Sequence, residues 1–178
     1  RQRGFDRFYG IMDAATHFFS PHYILQDDSR VETVPDDFYF TDAITDKAIG
    51  MIEGAVADEK PFFLYLAHAA PHFPWQGPDD ADKLVQPKKK TWQQGGRKTY
   101  AAMVEHMDKS IGLVLAKIDE LGLRKKTLVV FSSDNGGHTH SRNAPMRDFK
   151  DTVWEGGVRV PCIVRFPDIL PAGTTTTQ

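Results

Sequence analysis

The chain has one cysteine, no methionine at its start, no long apolar run and almost no net charge. A lone Cys162 has no partner for an internal disulfide, so the fold depends on its core, and the thiol count is silent about compartment. Within Val160-Pro-Cys-Ile-Val164 the residue reads as a small buried hydrophobe on a strand. The longest apolar stretch, residues 62–70, contains His68 and stops at Pro71, well short of the roughly 20 residues that cross a bilayer. That excludes a membrane-spanning helix within these 178 residues. With 22 Lys and Arg against 24 Asp and Glu, well mixed, there is no basic face to neutralise phosphates, which excludes a nucleic-acid partner. The opening Arg1-Gln2-Arg3-Gly4 carries no signal-like segment, so the chain reads as a fragment whose targeting information lies elsewhere.

What is present suffices for one ordinary core, at 40% hydrophobic residues. The first forty residues are rich in aromatics, Gly and Asp without sustained period and read as loop. Thr41 is placed to cap a helix whose face is Ile44, Ala48, Met51, Ile52 and Ala55, ending at Lys60-Pro61. Residues 62–67 form a continuous apolar run, the pattern of a strand covered on both faces. Residues 71–98, with four prolines and Lys88-Lys89-Lys90, read as a long solvated excursion. A second helix is marked by Tyr100, Met103, Val104, Met107, Ile111, Val114, Leu115, Ile118 and Leu121, with Gly122 placed to end it. Strands are expected at 128–131 and 158–166. Strands alternating with helices predict an α/β fold with a parallel sheet, and neither repeat nor linker divides residues 1–178.

In parallel sheets the loops leaving the carboxyl ends of the strands converge on one crevice. Asp134 and Asn135 offer adjacent hard oxygens there, followed by Gly136 and Gly137, which let backbone approach closely. Such oxygens suit Ca2+ or Mg2+ better than zinc, although Asp-Asn-Gly-Gly is equally a good tight turn. His72, held between Pro71 and Pro74, has a rigid setting for proton transfer or for a hydrogen bond to an anion, and a structural histidine fits as well. His138 and His140 follow the oxygen-bearing loop, where substrate contact and plain solvation are both open. Lys150, ahead of Trp154-Glu155-Gly156-Gly157, can clamp an anion as a point charge or sit idle at the surface. Together these groups point to cleavage of a sulfate or phosphate ester.

Six segments, in order, carry a further likeness: Arg3-Gly-Phe-Asp-Arg-Phe-Tyr-Gly10, Thr41-Asp-Ala-Ile-Thr-Asp-Lys-Ala48, Lys60-Pro-Phe-Phe-Leu-Tyr-Leu-Ala67, Pro71-His-Phe-Pro74, Thr127-Leu-Val-Val-Phe-Ser-Ser-Asp-Asn-Gly-Gly137, and Asn143-Ala-Pro-Met-Arg147 leading through Lys150 to Trp154-Glu-Gly-Gly-Val-Arg-Val-Pro161. They resemble the sulfatase family, the arylsulfatase-like branch of the alkaline phosphatase superfamily. The resemblance implies a three-layer α/β sandwich with a largely parallel central sheet, of which residues 1–178 are part of a single catalytic domain. It implies Ca2+, with Mg2+ the alternative, and a formylglycine nucleophile. It makes Asp134 and Asn135 metal ligands, His72 and Lys150 the catalytic pair that holds the sulfate and assists the leaving oxygen, and His138 a further substrate contact. The family's nucleophile motif, Cys or Ser followed by x-Pro-x-Arg or x-Ala-x-Arg, is absent from the sequence. Cys162 does not supply it, because Ile163, Val164, Arg165 and Phe166 follow.

The implied function is hydrolysis of sulfate esters by the parent protein, with this chain alone inactive. A phosphodiesterase or phosphonate monoester hydrolase on the same fold, and a non-catalytic interaction protein, are the alternatives. The implied partner is a sulfated small molecule or sulfated glycan, and the implied localisation is periplasmic, lysosomal or extracellular. Oligomeric state is not legible. Segments 16–39 and 75–98 are the candidate substrate-selecting loops, whose Phe18, Phe19, Tyr23, Trp75 and Trp92 either stack on a ring or pack on the core.

Overall fold

A computed structural model describes residues 4–80 and 95–176, so Trp92 and the Lys88-Lys89-Lys90 run lie outside the described residues. The chain forms two compact units, Arg1–Lys117 and Ile118–Gln178.

The first unit begins with a meander rather than the expected loop. Strands β1 (Tyr9–Ile11), β2 (Ile24–Gln26) and β3 (Ser29–Val31) pair antiparallel in that order. Each is three residues long, too short for alternation to show in the sequence. Asp27 makes the β2–β3 turn possible by adopting φ 56°, a conformation that Asp tolerates better than most residues. Its carboxylate accepts from the Phe8 amide at 3.0 Å and its own amide donates to the Phe8 carbonyl at 2.7 Å, tying the turn to β1.

Helix α1 (Phe40–Ala57) buries Ile44, Ala48 and Ile52 as the spacing predicts, together with Phe40, Thr41 and Thr45. Thr41 does not cap it. Tyr39 holds the extended N-cap position, and the Thr41 carbonyl, inside the first turn, accepts from Thr45 Oγ1 at 2.7 Å. Helix α2 (Arg97–Glu120) buries Met103, Ser110, Val114 and Ile118 along one stripe. Gly122 ends it at φ 68°: the Gly122 amide donates to the Asp119 carbonyl and the Leu123 amide to the Ile118 carbonyl, the paired bonds of a Schellman stop. His106 Nε2 lies 2.6 Å from Asp42 Oδ1, and Lys117 Nζ 3.0 Å from Glu53 Oε1, linking the two helices.

The core of this unit is Phe18, Ile24, Phe38, Tyr39, Phe40, Ile44, Ala70 and Met103. Phe18 is 1% exposed, its ring 5.6 Å from that of Tyr39, and Phe19 and Trp75 pack against the same cluster. Phe18 is therefore core, and Phe19 and Trp75 are half-buried against it. Residues 62–67 do not form a strand. They carry no ladder among the described residues, and Phe63 and Tyr65 stand exposed. An apolar run encodes the preference for burial, whereas a strand also requires a neighbour to receive its backbone bonds.

In the second unit, β4 (Val129–Ser132) pairs with β5 (Cys162–Arg165), with Val129 opposite Arg165 and Ser132 opposite Cys162. The pairing is antiparallel, against the parallel expectation. Parallel neighbours need a crossover, usually a full helix. Here the chain between them is a set of turns and one short helical turn, α3 (Glu155–Val158), which sends β5 back the other way. Cys162 is exposed rather than buried, as are Val130 and Ile163, because nothing among the described residues covers the ribbon there.

Candidate active site

Strand β4 delivers Asp134 and Asn135 to its carboxyl end in a tight turn. Ser133 Oγ donates to the Asn135 carbonyl at 3.0 Å, and Asn135 Nδ2 donates to Asp134 Oδ2 at 2.6 Å, so the carboxylate and the amide lie side by side. Behind them, two glycine pairs pack together. The Gly136 amide donates to the Gly157 carbonyl at 2.8 Å, and the Gly156 amide to the Arg147 carbonyl at 2.7 Å. A Cβ on Gly136 would overlap the Gly156 carbonyl, and one on Gly156 the Asp148 carbonyl. Neither has positive φ. These glycines are needed for space, and what approaches them is the chain's own backbone.

From Gly137 the chain runs out and returns at Lys150, whose amide donates to the Gly137 carbonyl at 3.0 Å. Asn143 sits within this loop. Its Oδ1 accepts from the Gly137 amide at 3.2 Å, and its Nδ2 donates to the carbonyls of Gly137 at 2.8 Å and Asp148 at 3.3 Å. His138 Nδ1 lies 2.5 Å from Thr139 Oγ1, and its ring meets Phe149 edge-on with centroids 5.6 Å apart. His138, Thr139, Ser141, Asn143, Asp148 and Phe149 line an open cavity of about 350 Å³. The Arg147 guanidinium lies 3.6 Å from the centre of the Trp154 ring, a cation–π contact.

His72 belongs to the first unit. Its amide donates to the Ala69 carbonyl at 2.9 Å, and Nδ1 lies 2.8 Å from the Phe73 carbonyl. A carbonyl can only accept, so Nδ1 carries a proton, and in the neutral ring Nε2 is the acceptor. The ring lies tilted against that of Phe73, centroids 4.3 Å apart, between the cis peptides Ala70–Pro71 and Phe73–Pro74. His68 is different: both its ring nitrogens are buried without a hydrogen-bond partner among the described residues, and burial lowers its pKa.

Asp134, Asn135, His138 and Lys150 lie on one interlocked set of loops in the second unit, and His72 lies in a proline-flanked turn of the first. Asp134 and Asn135 fit a hard cation in kind, two oxygen-bearing groups side by side, and supply only part of the six or more oxygens that Ca2+ takes. Among the described residues no group of three or more His, Cys, Asp or Glu is arranged to hold a metal. Sequence reasoning passed over Asn143. Its signal was Asn143-Ala-Pro145, an amide ahead of a proline turn, but the Gly137 backbone it binds is six residues away.

The Sulfatase family model matches residues 1–178. The chain belongs to the sulfatase family. A sulfatase of Formosa agariphila is 34% identical over 150 residues, covering 79% of this chain and 27% of that protein. An ulvan-active sulfatase of the same bacterium is 29% identical, covering 95% of this chain and 35% of its own length. Among solved structures, Ps i-CgsB in complex with k-i-k-neocarrahexaose superposes with a TM-score of 0.82 at 30% identity, over 97% of this chain and 42% of that one. The chain spans about a third of the length of the curated sulfatases it matches. Its architecture is α/β of the alkaline-phosphatase-like type, with the two small sheets described above. No described helix is long and apolar enough to cross a membrane.

Proposed function

We propose that the protein to which these residues belong hydrolyses sulfate esters on a glycan, with Asp134, Asn135, His72 and Lys150 as this chain's share of the site. The observation that carries the reading is the Gly137–Lys150 closure, which brings Lys150 back to the loop bearing Asp134 and Asn135. Asp134 and Asn135 would help to hold Ca2+, with Mg2+ the alternative; when bound, such an ion stabilises negative charge on the sulfate oxygens. Lys150 supplies a second positive charge to the same anion. His72, with Nδ1–H directed at a carbonyl, leaves Nε2 for the leaving oxygen; with a proton on Nε2 the imidazolium gives it to that oxygen as the S–O bond breaks and returns to the neutral ring. The attacking group in this reading is a formylglycine contributed from outside these 178 residues. The chain by itself is therefore inactive. A glycan substrate is favoured by one relative's activity on ulvan and by the oligosaccharide bound in the similar structure.

The test is turnover by the full-length protein of 4-nitrophenyl sulfate, of sulfated algal oligosaccharides and of bis(4-nitrophenyl) phosphate, with and without EDTA. Turnover of sulfate esters that EDTA abolishes and Ca2+ restores is expected. Exclusive turnover of phosphate diesters, or no turnover of either class, overturns the reading.

A further inference from the structure

One side chain in the second unit makes contacts that no catalytic role requires of it. Asn143 takes both backbone polar groups of Gly137, accepting at 3.2 Å and donating at 2.8 Å, and gives its remaining proton to the Asp148 carbonyl at 3.3 Å. The Gly137 carbonyl that it holds also receives the Lys150 amide, at 3.0 Å. Space confirms the closeness of the fit, since a Cβ on Gly137 would lie 2.7 Å from Asn143 Oδ1. Asn143 therefore joins the beginning of the loop, its return at Asp148 and, through Gly137, the residue from which the Lys150 side chain departs. The three bonds use one acceptor and two donors on one planar group, which is what a side-chain amide offers.

We propose that Asn143 is a positioning residue that sets the place of Lys150 relative to Asp134 and Asn135. This rests on the reading of Lys150 as the charge that holds the sulfate. A displacement on the order of 1 Å at an anion-holding group lowers turnover by about 100-fold. Removing the clasp therefore acts on the reaction through Lys150, and not when Lys150 lacks its charge.

The experiment is a double-mutant cycle in the full-length protein, with Asn143→Ala and Asn143→Asp made alone and in a Lys150→Ala background. Asn143→Ala is expected to lower kcat/KM for a sulfate ester by about 10- to 100-fold alone, and by less than about threefold once Lys150 is removed. Equal losses in both backgrounds, or no loss in either, overturn the proposal. Asn143→Asp keeps the acceptor and the shape but loses both donors; it gives the same comparison should the alanine variant fail to fold. Hydrogen exchange of the peptide containing Gly137 and Lys150 supplies an arm independent of activity. Faster exchange of those two amides in the variants is expected, and unchanged protection overturns the proposal. If the unaltered protein releases no sulfate, the sulfatase reading falls, and exchange alone decides whether Asn143 holds Lys150.

Discussion

The amide of Gly136 donates to the carbonyl of Gly157 at 2.8 Å, joining the end of β4 to the helical turn that leads into β5. A Cβ on Gly136 would overlap the neighbouring Gly156 carbonyl, so the two glycine pairs meet where no side chain fits.

Gly136→Ala should therefore cost at least the roughly 1–3 kcal/mol typical of overpacking, because the atom in the way is backbone. Gly50→Ala is the contrast: Gly50 lies exposed inside α1 with nothing near its missing Cβ, and alanine there should stabilise by about 0.5–1 kcal/mol. Urea unfolding of both variants checks the pair, and a Gly136→Ala midpoint equal to that of the unaltered protein would contradict the packing argument.

Burial without partners lowers the pKa of His68 below its ordinary 6.5, and burial lowers that of His17 as well. The folded state thus prefers neutral rings. Its advantage is complete above the unfolded value of about 6.5 and is lost as pH falls through the lower folded values. Stability should drop between pH 7.5 and pH 5, and His68→Phe should reduce that drop by removing one of the two groups. Identical pH slopes for the two proteins would show that His68 takes no part.

Gln76, 4% exposed, joins three parts of the first unit: its Oε1 accepts from the Phe18 amide at 2.9 Å, its carbonyl accepts from Tyr39 Oη at 2.8 Å, and its Nε2 lies 2.7 Å from His17 Nε2. Gln76→Leu strands the Phe18 amide in the core, at a cost of about 1–3 kcal/mol. Tyr39→Phe removes one hydroxyl bond and should cost about 1 kcal/mol. Thermal unfolding of the two variants tests the order, and the reverse order would mean that Phe18 finds another acceptor.

Met103 has no exposed surface and packs in the core with Phe18 and Tyr39. Met103→Ala should destabilise by about 2–5 kcal/mol through lost burial and the cavity left behind. Met103→Leu, which conserves volume, should cost less than about 1.5 kcal/mol. Denaturant midpoints for the two variants check the difference, and equal losses would mean that shape rather than volume controls the site.

The two long helices were legible, apart from the first turn of α1, where Tyr39 rather than Thr41 is the N-cap, because their signals are local. In α2 the stripe through Met103, Val114 and Ile118 and the stop at Gly122 rest on backbone bonds three to five residues apart. The loop residues were legible as types and order: Asp134, Asn135, His72 and Lys150 stand in motifs whose succession marked the family that residues 1–178 match. Asn143 stood in the same motifs, yet its backbone partners, the Gly137 amide and the Gly137 and Asp148 carbonyls, could not be read from them.

Sequence by itself therefore determined the two long helices, the sulfatase membership and the supply of hard oxygens and positive charge. Tertiary structure decided that β1, β2 and β3 pair at all, that β4 and β5 run antiparallel, that residues 62–67 stay unpaired among the described residues, and that Lys150 returns to Gly137. The physical reason is range. A helix satisfies its own backbone within a turn, whereas strands, glycine contacts and the Asn143 clasp are completed by groups that only the folded chain brings within about 3 Å.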